Sequence, residues 1–411
     1  MSQRLPGALR AFAVGLIGLV VLCGVAELLC RTVLHLNFDP YIYPLGRQRY
    51  PDLLRFQERF QHFHSVEFFR LPFSFEYLYP APDAVVYKIF FLFTEHPVRA
   101  FLGFSCGSLV IAGVIVGWTM RGRGTARFSA YAFPSAVLLC SYPVWSVLKQ
   151  ANIEIVLWVL VTTGLLLFLS GRGYSAGACF GLAASMKIYP VAYLALLLVR
   201  RQYREMIFGI GVLGVSTVAS LWLVCPSISV SWGAIEAGLQ RFRFLYVLHK
   251  RPEIGTDHSL FALYKLALHP FPPPDRLGHS LSIYLLVVGA AFVALFFLRI
   301  RHLPTINQIF CLTVACVLFP PVSYEYTLLH LLAPLALLSL LTVDLERRGV
   351  SLPGVGSALA CSAILLAPLP ELIWRAQLIE GQVKAMVLVT LFGIALRWPM
   401  AAPEPVRAEL S

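Results

Sequence analysis

Charge is scarce in this sequence. Of its 411 residues only 13% are Asp, Glu, Lys or Arg, while 58% are hydrophobic; a soluble domain carries about 25% charged residues. The charges sit in short clusters between apolar runs of bilayer-spanning length, which excludes a soluble chain. The period-2 alternation of a membrane β-barrel is missing, and helices are the other spanning form that satisfies its own backbone. No Walker A loop is present, so a P-loop nucleotide site is excluded, and no His-Glu-x-x-His or other zinc set is found. His62 and His64 lie two apart, on different faces of a helix, a weak metal signal. None of the nine cysteines forms a Cys-x-x-Cys pair, and nearly all lie in or beside apolar runs. They read as small core residues, not as a disulfide framework.

What is present is length of apolar chain. Runs of helix-forming hydrophobic residues cover 8–30, 100–120, 128–142, 153–169, 176–186, 191–199, 207–224, 281–298, 306–319, 328–341, 355–369 and 383–396. About 20 such residues cross a bilayer, so the fold class is all-α: a polytopic transmembrane bundle of about 10–12 spans. The first run follows Arg4 and Arg10 but lacks a small-x-small cleavage site, and is read as a retained helix. The formal net charge of +12 would suggest nucleic acid in a soluble protein. Here Arg clusters recur at every second short turn, as the positive-inside rule requires, so no nucleic-acid partner is expected. That rule puts the N-terminus in the cytoplasm and two long loops, about 31–99 and 226–280, outside. Residues 1–400 then form one membrane domain, and 401–411 a short cytoplasmic tail.

The outer side collects the polar residues that a bilayer tolerates poorly. Arg47, Arg49 and Asp52 stand together ahead of Leu53, Phe56, Phe60 and Phe63, whose helical spacing suggests a helix lying in the membrane interface. The Asp is either a salt-bridged anchor or a catalytic base beside an anion site. Tyr79 lies in a Tyr-Pro-Ala-Pro segment that is either an interfacial aromatic belt or the wall of a sugar pocket. Lys149, Gln150 and Asn152 occupy one junction between apolar runs, Lys187 and Tyr189 another. These lysines either snorkel to the headgroups or bind a lipid phosphate. The fourth group joins Asp257, His258 and Ser259 with Ser323, Tyr324, Glu325 and Tyr326. There Ser323 suits a helix cap, while Glu325 and Tyr326 suit either that helix start or a site wall.

Taken in order, these segments resemble a known set. Lys149-Gln150-Ala-Asn152 resembles Gly-Gln-x-Asn, and Gly181 to Pro190 resembles Gly-x-Ala-x-x-x-Lys-x-Tyr-Pro. Asp257-His258-Ser259-Leu260 resembles Asn-Gln-Ser-Leu, and Pro321 to Tyr326 resembles Pro-x-Ser-Trp-Glu-His. Together they resemble glycosyltransferase family 87, alpha-mannosyltransferase-like membrane enzymes of the GT-C superfamily. The departures are Lys149 for Gly, Asp257-His258 for Asn-Gln, and Tyr324 and Tyr326 for Trp and His.

The resemblance implies a GT-C-like bundle that moves a hexose, mannose by default, from a polyprenyl-phosphate-sugar donor to a glycan or lipid acceptor. It places the catalytic acid in the first outer loop, where Asp52 matches and Asp39, followed by Pro40 and at a longer spacing, fits less well. An inverting transfer needs one base, so Asp52 is expected in that role. Lys187 with Arg47 or Arg49, and secondarily Lys149, would meet the leaving phosphate. Gln150, Asn152, Tyr189 and Glu325 would orient sugar or phosphate oxygens, with Tyr79, His258 and Tyr326 as further binding residues. No cofactor and no metal are expected. Membrane lipids are the surroundings, and a bacterial plasma (inner) membrane is the expected location. The competing reading is a transporter or flippase, which would more often show internal repeats with paired broken helices; none is seen.

Overall fold

Every apolar run of the sequence folds as a helix in the computed structural model, which describes residues 4–33, 50–70, 78–92, 96–249, 255–268, 274–369, 373–374 and 377–401. The chain opens with α1 (Gly7–Thr32), the short α2 (Pro51–Leu54) and α3 (Glu67–Arg70), and α4 (Ala81–Leu92). Then come α5 (Pro97–Gly122), α6 (Arg127–Cys140), α7 (Tyr142–Gln150), α8 (Glu154–Leu169), α9 (Gly173–Met186), α10 (Leu194–Val199) and α11 (Tyr203–Val224). The second half holds α12 (Ile228–Phe242), α13 (Leu260–Ala267), α14 (Pro274–Leu298), α15 (Thr305–Leu318), α16 (Leu332–Arg347), α17 (Pro353–Leu366) and α18 (Glu380–Arg397). Two strands of two residues each, Ile373–Trp374 and Gln377–Leu378, pair antiparallel before α18.

Among the described residues, five helices are long and apolar enough to cross a membrane: Gly7–Leu29, Pro97–Gly122, Tyr203–Val224, Arg276–His302 and Glu325–Arg347. α6 and α7, bent by 56° at the break between them, together form a broken span or a re-entrant loop. Shorter apolar helices, Glu154–Leu169, Tyr189–Val199, Thr305–Leu318 and Pro353–Leu366, fill in between. The protein is a polytopic integral membrane protein. Four of the five long helices are only 11–22% buried along their apolar windows, against 72% for Glu325–Arg347. Val14, Val110, Val215 and Leu286 therefore point away from the protein, a face only lipid can satisfy. In α15, by contrast, every residue from Ile306 to Leu318 is buried, which makes it the central helix.

The bend at α6–α7 has a local cause. Ser141 is extended, and Pro143 in the first turn of α7 has no N–H to continue the α6 ladder. Close helix packing also has one. A Cβ on Gly177 would lie 2.6 Å from the Glu205 carbonyl oxygen, and one on Gly181 would collide with that of Gly209. The two glycines, four apart on α9, let α11 approach backbone to backbone. Two spacings that elsewhere accompany catalysis or dinucleotides, Gly173-x-Ser175-x-Gly177 and Gly209-x-Gly211-x-x-Gly214, lie within α9 and α11. Both lie inside helices, away from any strand.

The first loop departs from the sequence-based expectation of a helix lying in the membrane interface. Leu53, Phe56 and Phe60 point into the protein core. The chain turns through α2 and a 3₁₀ turn at Arg59–His62 in place of one continuous helix. Phe56 packs 4.9 Å from the Tyr87 ring and Phe60 4.9 Å from Phe91, both on α4. Arg59 is buried with them and donates to the Phe68 carbonyl at 2.8 Å. Aromatic residues at helical spacing serve a protein core as well as a lipid surface, and α4 supplies the core. Arg47, Arg49 and Asp39 lie outside the described residues.

Candidate active site

The site begins where the first loop meets the α7–α8 junction. Tyr50 is left-handed (φ 62°), and its N–H donates to the Lys149 carbonyl at 2.9 Å. Pro51 then opens α2 and delivers Asp52, which is 7% exposed. The Tyr79 hydroxyl donates to Asp52 Oδ1 at 3.0 Å, and Asn152 Nδ2 donates to Oδ2 at 2.6 Å. Arg55 Nη1 lies 3.5 Å from Oδ1, one turn further on. Burial and the neighbouring Asp52 charge push the Tyr79 phenol well above its usual range, so it stays a hydrogen-bond donor to the carboxylate.

Asn152 sits at a forced turn. α7 ends at Gln150, and Ala151 takes a left-handed conformation (φ 51°), a strained one for a residue with a Cβ. The Tyr87 hydroxyl holds the turn: it donates to the Ala151 carbonyl at 3.0 Å and accepts from the Ile153 N–H at 2.9 Å. Asn152 Oδ1 accepts from the Glu154 N–H at 3.0 Å. One side-chain amide thus ties Asp52 to the first residue of α8.

Glu154, wholly buried, is the hub of a second cluster. Its carboxylate accepts from Lys187, from the Tyr189 hydroxyl and from His330, the last at 2.7 Å. Lys187 follows the end of α9 in an extended conformation, and Pro190 opens the 3₁₀ turn that carries Tyr189. The Lys187 ammonium lies 5.2 Å from the Tyr326 ring centroid, a cation–π contact. Lys187 is 22% exposed while its partner Glu154 is fully covered.

A third assembly holds the remaining residues. Asp257 Oδ1 accepts from the backbone N–H of Ser259 at 2.9 Å and of Ser323 at 3.0 Å. Lys265 lies 3.5 Å from its other oxygen. Burial raises the Asp257 carboxyl and lowers the Lys265 amine, while their mutual attraction opposes both shifts. His258 is sealed between Ser323 Oγ at 3.0 Å and Thr327 Oγ1 at 3.1 Å. Burial pushes its imidazole well down, so it is neutral. Glu325 pairs at 2.6 Å with Lys384 of α18, which Glu380 also approaches at 3.3 Å.

Among the residues expected from sequence, Asp52, Tyr79 and Asn152 come together, as do Lys187, Tyr189 and Tyr326. Lys149 joins them through its backbone carbonyl. Gln150 ends α7, half-buried, and provides none of the hydrogen bonds just described. His258 and Glu325 belong to the third assembly. Sequence reasoning missed Arg55, Glu154, His330 and Lys384. The cost of ionisable groups inside apolar runs would have flagged the last three.

The model of glycosyltransferase family 87 matches residues 77–321. No curated protein and no solved structure matches the chain. The matched residues include Tyr79, Asn152, Glu154, Lys187, Tyr189 and His258, and cover three fifths of the sequence. The chain belongs to glycosyltransferase family 87, a family of membrane glycosyltransferases.

Proposed function

We propose that the protein transfers a hexose, mannose by the family default, from a polyprenyl-phosphate-linked donor to a glycan or lipid acceptor, with inversion. The site faces away from the cytoplasm, in a bacterial inner membrane whose N-terminal end is cytoplasmic. The observation that carries this reading is the linkage through Asn152: it joins a carboxylate, Asp52, to the cluster that holds the Lys187 cation. Asp52 and His330 lie outside the residues matched by the family model, so their roles rest on these hydrogen bonds.

In this mechanism Asp52 takes the proton of the acceptor hydroxyl as that oxygen attacks the anomeric carbon. The bond from that carbon to the phosphate oxygen breaks on the opposite side, through an oxocarbenium-like transition state. Asn152 and Tyr79 fix the carboxylate so that it meets the acceptor in one orientation. The departing lipid phosphate gains negative charge and needs a cation more than an acid. Lys187 turns from Glu154 to meet it. Glu154 keeps Tyr189 and His330 as donors when Lys187 leaves, so the buried carboxylate is not stranded. No metal is required in this scheme, because the leaving group is a monophosphate faced by protein cations.

The test is transfer of radiolabelled mannose from polyprenyl-phosphate-mannose in membranes, comparing the parent protein with Asp52→Ala. Loss of about 10²–10⁴-fold is expected for removal of the base. Undiminished transfer by well-folded Asp52→Ala would remove Asp52 from that role. A parent protein inactive with every polyprenyl-phosphate sugar, mannose included, would defeat the donor class.

A further inference from the structure

Asp83 is fully buried, and neither carboxyl oxygen has a hydrogen-bond partner. It lies in the first turn of α4, just after Tyr79-Pro80, with its N–H donating to the Pro80 carbonyl at 3.2 Å. One helical turn on, and therefore on the same face, is Tyr87, whose hydroxyl grips the backbone on both sides of Asn152. The charges of Lys187 and Glu154 both reach Asp83 and act on it in opposite senses. Along the chain Asp83 stands between Tyr79, which donates to Asp52, and Tyr87, which holds the turn at Asn152, and none of the hydrogen bonds of either cluster uses its carboxyl.

We infer that Asp83 contacts substrate: a sugar hydroxyl, on the transferred hexose or on the acceptor, completes the hydrogen bonds that its carboxyl lacks. This rests on the transferase reading above. Burial pushes the carboxyl well above the usual carboxylate range, Lys187 pulling it back and Glu154 adding to the rise. A neutral carboxyl has one O–H donor and free acceptor positions, which match a hydroxyl in both directions. A buried polar group without a partner is costly, and a leucine in its place would avoid that cost; the group is kept because its partner is the ligand.

The experiment compares Asp83→Asn and Asp83→Leu with the parent, full-length in membranes. It reads transfer over a range of polyprenyl-phosphate-mannose concentrations, and thermal unfolding of the purified proteins. Asp83→Leu is expected to unfold at the parent's temperature or above it while transfer falls at least about ten-fold, because a site built around a hydroxyl is left unpaired. Asp83→Asn keeps a donor and an acceptor and is expected to retain most transfer. A raised KM for the donor assigns the hydroxyl to the transferred sugar; a lowered kcat at unchanged KM assigns it to the acceptor. Parental transfer by Asp83→Leu overturns the inference, as does an Asn variant as inactive as the Leu one. If the parent itself transfers nothing, the function reading fails separately and unfolding decides: a lower unfolding temperature for Asp83→Leu makes the carboxyl structural and overturns the inference, and an equal or higher one supports it.

Discussion

Two lysines in this protein are each paired with a glutamate, and the two pairs are built in opposite senses. At Lys187 the carboxylate is sealed, with Glu154 fully covered, and the cation sits at the rim with 22% exposure. At Lys384 the cation is sealed, and the carboxylates of Glu325 and Glu380 that face it are less completely covered, with 9% and 14% exposure. Each sealed group has its charge balanced by a partner that is less completely covered. Under the proposed mechanism the partly exposed Lys187 ammonium is the member that meets the lipid phosphate. The sealed member anchors the fold. Glu154 draws together α8, the Tyr189 turn and, through His330, the 3₁₀ turn Glu325–Leu331; Lys384 ties α18 to that same turn through Glu325 and faces the Tyr142 ring at 5.1 Å.

The sharpest break of this comparison is to remove the sealed cation. Lys384→Ala leaves two carboxylates facing each other in a covered site, and a stability loss of about 3–5 kcal/mol is expected. Denaturant unfolding in mild detergent measures it. The double variant Glu325→Leu with Lys384→Met removes the pair together and is expected to come back to within about 1 kcal/mol of the parent. A single Lys384 variant as stable as the parent would mean that the buried cation anchors nothing.

Removing the rim cation should act the other way. Lys187→Met leaves Glu154 with its Tyr189 and His330 donors, so folding should change little. Transfer is expected to fall about 10²–10³-fold, the range for losing one group that stabilises developing negative charge. Unfolding and radiolabel transfer measured on the same preparation decide it. A Lys187 variant that loses stability as Lys384→Ala does, yet transfers normally, would erase the distinction between the two pairs.

The sequence made some of this legible and hid the rest for physical reasons. Apolar run length located the helices, since crossing a bilayer demands it whatever the tertiary partners are. It did not reveal that α6 and α7 bend by 56°, because a proline kink and a straight span share one hydropathy. Asn152, Lys187 and Tyr189 were readable as a polar set between apolar runs. Glu154, two residues from Asn152, carried only the general mark of an ionisable group in an apolar run, because its partners His330 and Lys187 are distant in sequence and adjacent in space. The Phe56 and Phe60 pattern was readable as a helix face and misleading about its surroundings. Only contact with Tyr87 and Phe91 on α4 separates core from lipid there.

The smallest expected effect concerns the hydroxyl that shapes the junction between the two clusters. Tyr87→Phe keeps the buried ring, and with it the tilted contact with Phe56, but deletes the acceptor of the Ile153 N–H and the donor to the Ala151 carbonyl. A buried N–H left unpaired costs about 1–3 kcal/mol. The left-handed Ala151 also loses a restraint, so Asn152 no longer holds Asp52 and the Glu154 backbone in a single arrangement. A catalytic group displaced by about 1 Å can cost up to 10²-fold, and Tyr79 still fixes Asp52 Oδ1, so a fall in kcat smaller than that of Lys187→Met is expected, with donor KM near the parent's. A change in KM alone would instead put Tyr87 in contact with the donor. Parental kcat and stability together would show that the turn holds itself, and that the bridge through Asn152 does not depend on the α4 hydroxyl.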